Sequence, residues 1–270
     1  MEQEDNTKKQ INKSNVVCYF SGTGNSMIAA KHIAKNLNDS EVCQINAELF
    51  EKYNSIKCDQ LILIIPSYAY GLPISVRKFI KTFAISASYV AVAVTYGSHY
   101  GGTLASAKAM FRRKKIKVNY CGGIRAVENF IPIFGQQSEK KIRTRLVYQG
   151  EDTQKFVSAV QDKQVNKILM FRPISAFVSW MFRTFSPALT KCYKVNDKCT
   201  GCKICEKACP SKAICVDPES NKAKFVPKNC DQCQCCINVC PVHAIEFARH
   251  KAKTKQYLNP EVNTKDLIKR

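Results

Sequence analysis

The chain is predicted to fold as an open α/β domain with a parallel sheet, followed by a small α+β module organised by metal ligands. Three observations carry this. Continuous apolar runs at 15–20, 60–65 and 89–95 have the character of strands buried on both faces of a parallel sheet. Segments of helical periodicity alternate with them, which is the rhythm of βαβ units. Beyond residue 198 the pattern changes to short segments punctuated by eight cysteines in two equal runs.

Taken in order, residues 1–13 form a polar, charged lead-in without an apolar targeting segment. The first strand, 15–20, runs directly into Ser21, Gly22, Thr23, Gly24, Asn25 and Ser26. A helix then covers 27–37, with Ile28, Ala29, Ile33 and Leu37 as its apolar positions. A strand, a loop rich in hydroxyls and glycine, and a helix N-terminus make a cradle for a phosphate, because free backbone N–H groups and the helix dipole favour an anion there. A P-loop is excluded by the lack of a lysine in the loop, and the dinucleotide fingerprint by Met27 where a glycine is needed. The plain alternative is a serine-rich helix cap.

The second strand is expected at 41–47. The run 60–65 ends in a loop carrying Ser67, Tyr68, Ala69, Tyr70 and Gly71, and the run 89–95 ends at Thr95 in a loop carrying Tyr96, Gly97, His99, Tyr100 and Gly101. Both loops follow strand C-termini, where ligands bind in open α/β sheets. Flat aromatic faces and glycines for close approach suit a planar ring system, although any single tyrosine here could be ordinary packing. Helices are expected at 73–83 and 103–112, the latter ending in Arg112, Arg113, Lys114 and Lys115, a solvated helix end. A fifth strand falls within 116–127, a loop of unassigned role spans 128–137, and a polar helix covers 139–165.

The loop from Ser21 to Ser26 resembles the FMN phosphate loop of flavodoxins, and the two later loops stand where that family builds its flavin site. The resemblance covers residues 14–165. It implies a doubly wound, flavodoxin-like sheet of order 2-1-3-4-5 with FMN at the switch point. Ser21, Gly22, Thr23, Gly24, Asn25 and Ser26 would hold the phosphate. Ser67, Tyr68, Ala69, Tyr70 and Gly71 would face the N5 side, and Thr95, Tyr96, Gly97, Tyr100 and Gly101 the other flank. A carbonyl of Ala69 or Gly71 would accept from reduced N5–H. Flavodoxins are usually acidic around the flavin; this domain is basic, so its partners should differ.

Residues 166–193 form a connector. Its apolar positions Ile174, Phe177, Val178, Met181, Phe182 and Phe185 follow helical spacing, and Arg172, Pro173 and Arg183 leave too short an uncharged run to span a membrane. The helix should end near Pro187. The apolar stripe is expected to pack on a domain; interfacial membrane attachment, aided by Trp180, is the alternative.

The module at 194–250 reads C-x2-C-x2-C-x3-C-P twice, at Cys199, Cys202, Cys205 and Cys209 and again 31 residues later at Cys230, Cys233, Cys236 and Cys240. This is the run of a bacterial-type ferredoxin, in which the fourth cysteine ligates the other cluster. Two 4Fe-4S clusters are expected, one on Cys199, Cys202, Cys205 and Cys240, the other on Cys230, Cys233, Cys236 and Cys209. Zinc sites usually use separated C-x2-C pairs. Cys192, Cys215 and Cys235 fall outside the register, and choosing Cys235 over Cys236 would break the repeat. Segments 213–216 and 244–247 should be equivalent short strands. The lysine-rich tail, 251–270, is expected to be solvated.

The 270 residues are 45% hydrophobic and include 15 cysteines. Without a secretory signal, that cysteine count points to metal ligation in a reducing cytoplasm. The formal charge is +21; two clusters and a flavin phosphate would reduce it to about +15. Such a balance suits acidic redox partners, or less readily an anionic membrane surface. No nucleic-acid motif accompanies it. The joined halves resemble the EFR1-type ferredoxin-fusion proteins of anaerobes, which implies electron transfer between FMN and the two clusters. Two alternatives are a flavin-dependent reductase of a small acceptor, with His99 or a tyrosine as proton donor, and a binding or sensor protein that has lost FMN.

Overall fold

The computed structural model describes residues 8–130, 135, 137–167, 173–247 and 256–268. Strands β2 (Asn15–Tyr19), β3 (Ser40–Gln44), β4 (Tyr53–Pro66), β5 (Ala84–Tyr96) and β6 (Tyr120–Arg125) form a parallel sheet of order β3-β2-β4-β5-β6. This is the flavodoxin-like order, and the reversal of direction at β2 and β4 creates the switch-point crevice. A further strand, β1 (Lys9–Asn12), lies parallel to the first part of β4. The residues expected to be a polar lead-in thus include a strand. Its burial explains why it is hard to read: Ile11 alone is buried.

The central strands are apolar throughout because each face carries its own core. Val16, Cys18, Phe20, Leu61, Leu63, Ile65, Val90, Val92 and Val94 point to one side. There they meet α3 (Ile74–Thr82) through Val76, Phe79 and Ile80, and α4 (Thr103–Arg113) through Leu104, Ala107 and Phe111. Val17, Tyr19, Ile62, Ile64, Ala91 and Ala93 point to the other. There they meet α1 (Asn25–Lys35) and α5 (Glu139–Gln161) through Met27, Ile33, Phe156 and Val160. The strand expected at 41–47 ends at Gln44, and a short helix, α2 (Ala47–Lys52), begins at its expected last residue; Asn46 caps it by accepting from the Leu49 N–H at 2.9 Å. Arg125 ties the end of β6 to α5 through two 2.7 Å bonds to Asp152. Burial alone would raise the Asp152 carboxyl, but these bonds outweigh it and hold the group below its ordinary range. Lys114 is not simply solvated: its ammonium donates to the carbonyls of Phe83 and Lys81 at the end of α3.

The connector helix α6 (Pro173–Thr190) runs through Pro187 rather than stopping there. Its last turn is held from outside, since Gln232 Nε2 donates to the Ser186 carbonyl and to Thr190 Oγ1. Its apolar stripe is divided. Val178 and Phe182 turn toward the sheet domain's loops, whereas Ile174, Phe177, Trp180, Met181 and Phe185 are exposed. The expectation that the whole stripe packs on a domain is corrected accordingly.

The cysteine-rich module repeats its backbone as it repeats its sequence. Left-handed residues recur 31 positions apart: Gly201 and Gln232 (φ 67° and 59°), Lys203 and Gln234 (60° and 62°), Lys212 and His243 (48° and 52°). β8 (Ile214–Val216) pairs with β9 (Ala223–Phe225), and β10 (Ile245–Phe247) pairs with β7 (Tyr193–Val195). The first strand of each half therefore pairs with the last strand of the other. A small core of Tyr193, Ile214, Ile237 and Ile245 lies between the sheets.

The module is not a separate body hung on a linker. Ala208 in α7 (Ile204–Ala208), with Cys235 and Val239 in α8 (Cys235–Val239), joins the core on the α1 side of the sheet. The tail, expected to be solvated, is docked over 256–268. Tyr257, Asn259, Val262 and Leu267, the last in α9 (Thr264–Ile268), are all buried. The Tyr257 hydroxyl donates to Asn25 Oδ1 at 2.8 Å, and the Asn259 N–H donates to the Thr23 carbonyl at 2.8 Å. Residues 248–255, which include part of the lysine run, lie outside the described residues.

Candidate flavin and iron–sulfur sites

At the C-terminal ends of the strands, Ser21, Gly22, Thr23, Asn25, Ser26, Ser67, Tyr68, Thr95, Tyr96 and Gly97 close around one small polar cavity. The α1 N-terminus borders it with Asn25 and Ser26, following Gly24 in the left-handed region (φ 98°), with no side chain capping the helix. The N–H groups of Asn25, Ser26 and Met27 therefore have no intrahelical acceptor. Ser26 Oγ and Thr95 Oγ1 lie 2.8 Å apart, and Thr23 Oγ1 accepts from Asn129 Nδ2 at 2.8 Å. The cavity is about 30 Å³, room for about two waters.

A second cavity, of about 300 Å³ and mainly apolar, shares Ser67, Tyr68, Glu128 and Asn129 with the first. Ala69, Tyr70, Ser98, His99, Phe130, Val178, Phe182 and Gln232 complete its walls. Its size matches the lower range of small-molecule sites. A small donor-lined cavity opening beside a larger apolar one suits a phosphate ester carrying a planar ring, so the residues present fit FMN in kind and order.

Not every expected flavin contact reaches these cavities. Gly24 faces Val262 and Asn259 of the tail. Gly71 lies under Ser179 of α6, and its carbonyl accepts from the Tyr68 N–H at 3.0 Å. Ala69 and Tyr70, both left-handed (φ 45° and 63°), complete that tight turn. Gly101 packs against the Tyr70 ring, and Tyr100 stands edge-on to Tyr96 at 5.0 Å. Conversely, the loop of unassigned role supplies Glu128 and Asn129, and the end of the expected fifth strand supplies Ala126 and Val127. The loop's position after the fifth strand's C-terminus was the available signal. The contributions of α6 and Gln232 carry no such signal.

The eight cysteines separate into the two crossed groups. Cys199, Cys202, Cys205 and Cys240 line one small cavity. Cys230, Cys233 and Cys236 lie within electrostatic reach of one another and of Cys209. Burial pushes Cys205 up to about 12 and Cys230 up to about 11, so bare thiolates are disfavoured and the charge of iron would have to offset the cost. The Ala213 and Ala244 N–H groups donate to Cys209 and Cys240 Sγ, both at 3.2 Å, a symmetric pair of N–H···S bonds of the kind that tunes cluster potential. Among the described residues, no three His, Cys, Asp or Glu side chains converge as ligands of a single metal ion would. Cys235 is buried, with its thiol donating to the Ala208 carbonyl at 3.4 Å. Cys235→Ala should leave the iron content intact, whereas Cys236→Ala should lose about half of it; a matching loss in the Cys235 variant would refute the register.

The two sites abut. A Cβ on Gly22 would lie 2.3 Å from the Cys233 carbonyl oxygen and 2.8 Å from Cys233 Cβ. Tyr68 is buried beside the same segment, and its phenol is raised first by burial and then by the neighbouring Cys233. Asp231 crosses the boundary: it accepts from the Ser75 N–H at 3.0 Å and from the hydroxyls of Ser75 and Ser211. In the other cysteine group Cys202 is exposed and Cys199 partly so, while Cys205 and Cys240 are buried.

Several solved structures are similar to this chain at low identity. One is a putative flavoprotein from Bacteroides uniformis, 14% identical over 52% of this chain and 97% of that one, with a TM-score of 0.36. Another is Fusobacterium nucleatum flavodoxin bound to flavin mononucleotide, 12% identical over 56% and 99%, with a TM-score of 0.38. A third is rubredoxin oxygen:oxidoreductase from Desulfovibrio gigas, 11% identical over 58% of this chain and 38% of that one, with a TM-score of 0.30. No curated protein matches the chain. Residues 198–244, which hold all eight cysteines of the repeat, match the family model of the 4Fe-4S dicluster domain.

Proposed function

We propose that this chain is an electron-transfer flavin and iron–sulfur protein of the EFR1-type ferredoxin-fusion class. The observation that carries this reading is the contact of Cys233 with Gly22, which brings one cysteine group against the phosphate loop. When bound, FMN supplies one- or two-electron chemistry and each 4Fe-4S cluster one-electron chemistry. The chain's own residues supply placement. Ser21, Thr23, Ser26 and the α1 amides would hold the phosphate, while Tyr68, Ala69 and Tyr70 would border the ring. Because the Gly71 carbonyl is engaged by Tyr68, Ala69 is the better candidate to accept from N5–H. Cys209, Cys230, Cys233 and Cys236 would hold the cluster beside the flavin. Cys199, Cys202, Cys205 and Cys240 would hold the other, where the exposed Cys202 gives an acidic redox protein an approach. No side chain is required as acid or base.

The test is an anaerobic preparation assayed for iron, sulfide and flavin, with low-temperature EPR of the reduced protein. About eight irons and one FMN per chain are expected. Eight irons with no flavin uptake would sink the flavin-to-cluster reading and leave a two-cluster carrier. Zinc in place of iron would sink both.

A further inference from the structure

We propose that α6 is a membrane-surface element that lays its outer face on an anionic lipid bilayer. The helix has two faces with different tasks. Its inner face is committed: Ser179 packs over Gly71, Val178 and Phe182 wall the apolar cavity, and Ser186 and Thr190 hold Gln232. Its outer face carries Ile174, Phe177, Met181 and Phe185 at i, i+3, i+7 and i+11, with Trp180 alongside. Ile174 is 80% exposed, Phe177 57%, Phe185 54% and Trp180 51%. The Phe177 and Trp180 rings stack with centroids 5.9 Å apart. The other large apolar side chains found exposed are scattered singly, which needs no explanation; five on one helix face do.

Charge selects the occupant. From Lys163 to Asn196 the sequence contains Lys163, Lys167, Arg172, Arg183, Lys191 and Lys194, and not one Asp or Glu. Lys163, Lys167, Lys191 and Lys194, which flank the helix, are exposed. An apolar face with an interfacial tryptophan, set in an acid-free basic stretch, matches a surface formed by acyl chains beneath anionic headgroups. An acidic protein would answer the charge and leave the aromatic face uncovered. A second copy of this chain would answer the apolar face and bring two basic segments together. Among the described residues no helix is long and apolar enough to cross a membrane, so the geometry is that of a helix lying in the interface.

Trp180 is the chain's single tryptophan and reports on the face directly. The full-length holoprotein should co-sediment with vesicles of phosphatidylcholine containing phosphatidylglycerol and not with phosphatidylcholine alone. Its tryptophan emission should shift to the blue on binding. Phe177→Ser with Phe185→Ser should weaken this binding ~tenfold or more while iron and flavin contents stay unchanged. The proposal is overturned if anionic vesicles fail to bind. Equal binding by the double variant would also overturn it, since attraction then resides elsewhere. So would a concentration-dependent dimer in sedimentation velocity that the double variant abolishes without any effect on vesicles.

Discussion

Gly22→Ala is expected to destabilise the protein by about 1–3 kcal/mol, or roughly 3–10 °C in melting temperature for a chain of this size. The reason is purely steric, because Gly22 does not occupy a left-handed conformation. Its missing Cβ would fall 2.3 Å from a backbone oxygen, that of Cys233, and no side-chain rotation relieves such a contact. The obstructing segment is itself held on both sides: Asp231 is fixed by Ser75 and Ser211, and Gln232 by Ser186, Thr190 and Tyr193. The module must therefore retreat as a body, which separates the cysteine group from the phosphate loop. Electron exchange between flavin and clusters should slow while iron content remains near that of the wild type. Gly150→Ala is the matched control. It lies inside α5 with open space where a Cβ would go, so the substitution should stabilise by about 0.5–1 kcal/mol. Unchanged melting and unchanged electron exchange in the Gly22 variant would refute the close packing of the two sites.

The parts of this architecture legible in the sequence are those fixed by local chemistry. Cluster ligation needs thiolates at set intervals along one short loop, so the register at Cys199 and Cys230 could be read without knowing anything distant. The strands were legible because two-sided burial leaves them uniformly apolar, whereas their order was implied only by the resemblance of the loops to flavodoxins. What stayed hidden depends on contacts remote in sequence. The β1 strand shows one buried side chain in four and cannot announce itself. Pro187 is a stop signal by local rules, yet the helix runs past it to Thr190, and Gln232, far along the chain, bonds to Ser186 and Thr190 on either side. The tail's lysines suggest solvation, yet Tyr257 and Asn259 reach Asn25 across more than 230 residues. Gln232 itself occupies a left-handed position that the first half of the repeat gives to glycine. Gly201 is constrained by Asn221, whose side chain a Cβ would strike at 2.1 Å. In the second half, glutamine's bonds to α6 and Tyr193 offset the cost of that conformation.

Asp231→Ala should cost roughly 2–4 kcal/mol, the largest single loss expected at the boundary between the two halves. The α3 helix begins after Pro73 with no side chain of its own at the cap, and Asp231 supplies the missing acceptor from the other domain through the Ser75 N–H. A carboxylate there also answers the helix dipole. Alanine would leave that N–H and the hydroxyls of Ser75 and Ser211 without their buried acceptor, since Asp231 is only 5% exposed. Asn retains one acceptor oxygen, so Asp231→Asn should lose less than Asp231→Ala. Ser75→Ala keeps the backbone donor and should lose least. This ordering distinguishes a cap from a simple packing residue, for which Asn and Ala would not separate in that direction. Because Asp231 sits between Cys230 and Gln232, the damage should reach the adjacent cluster first. Thermal melts should therefore show the EPR signal of the cluster on Cys230, Cys233, Cys236 and Cys209 fading before that of its partner. Simultaneous loss of both signals at an unchanged melting temperature would mean that Asp231 does not bolt the module to α3.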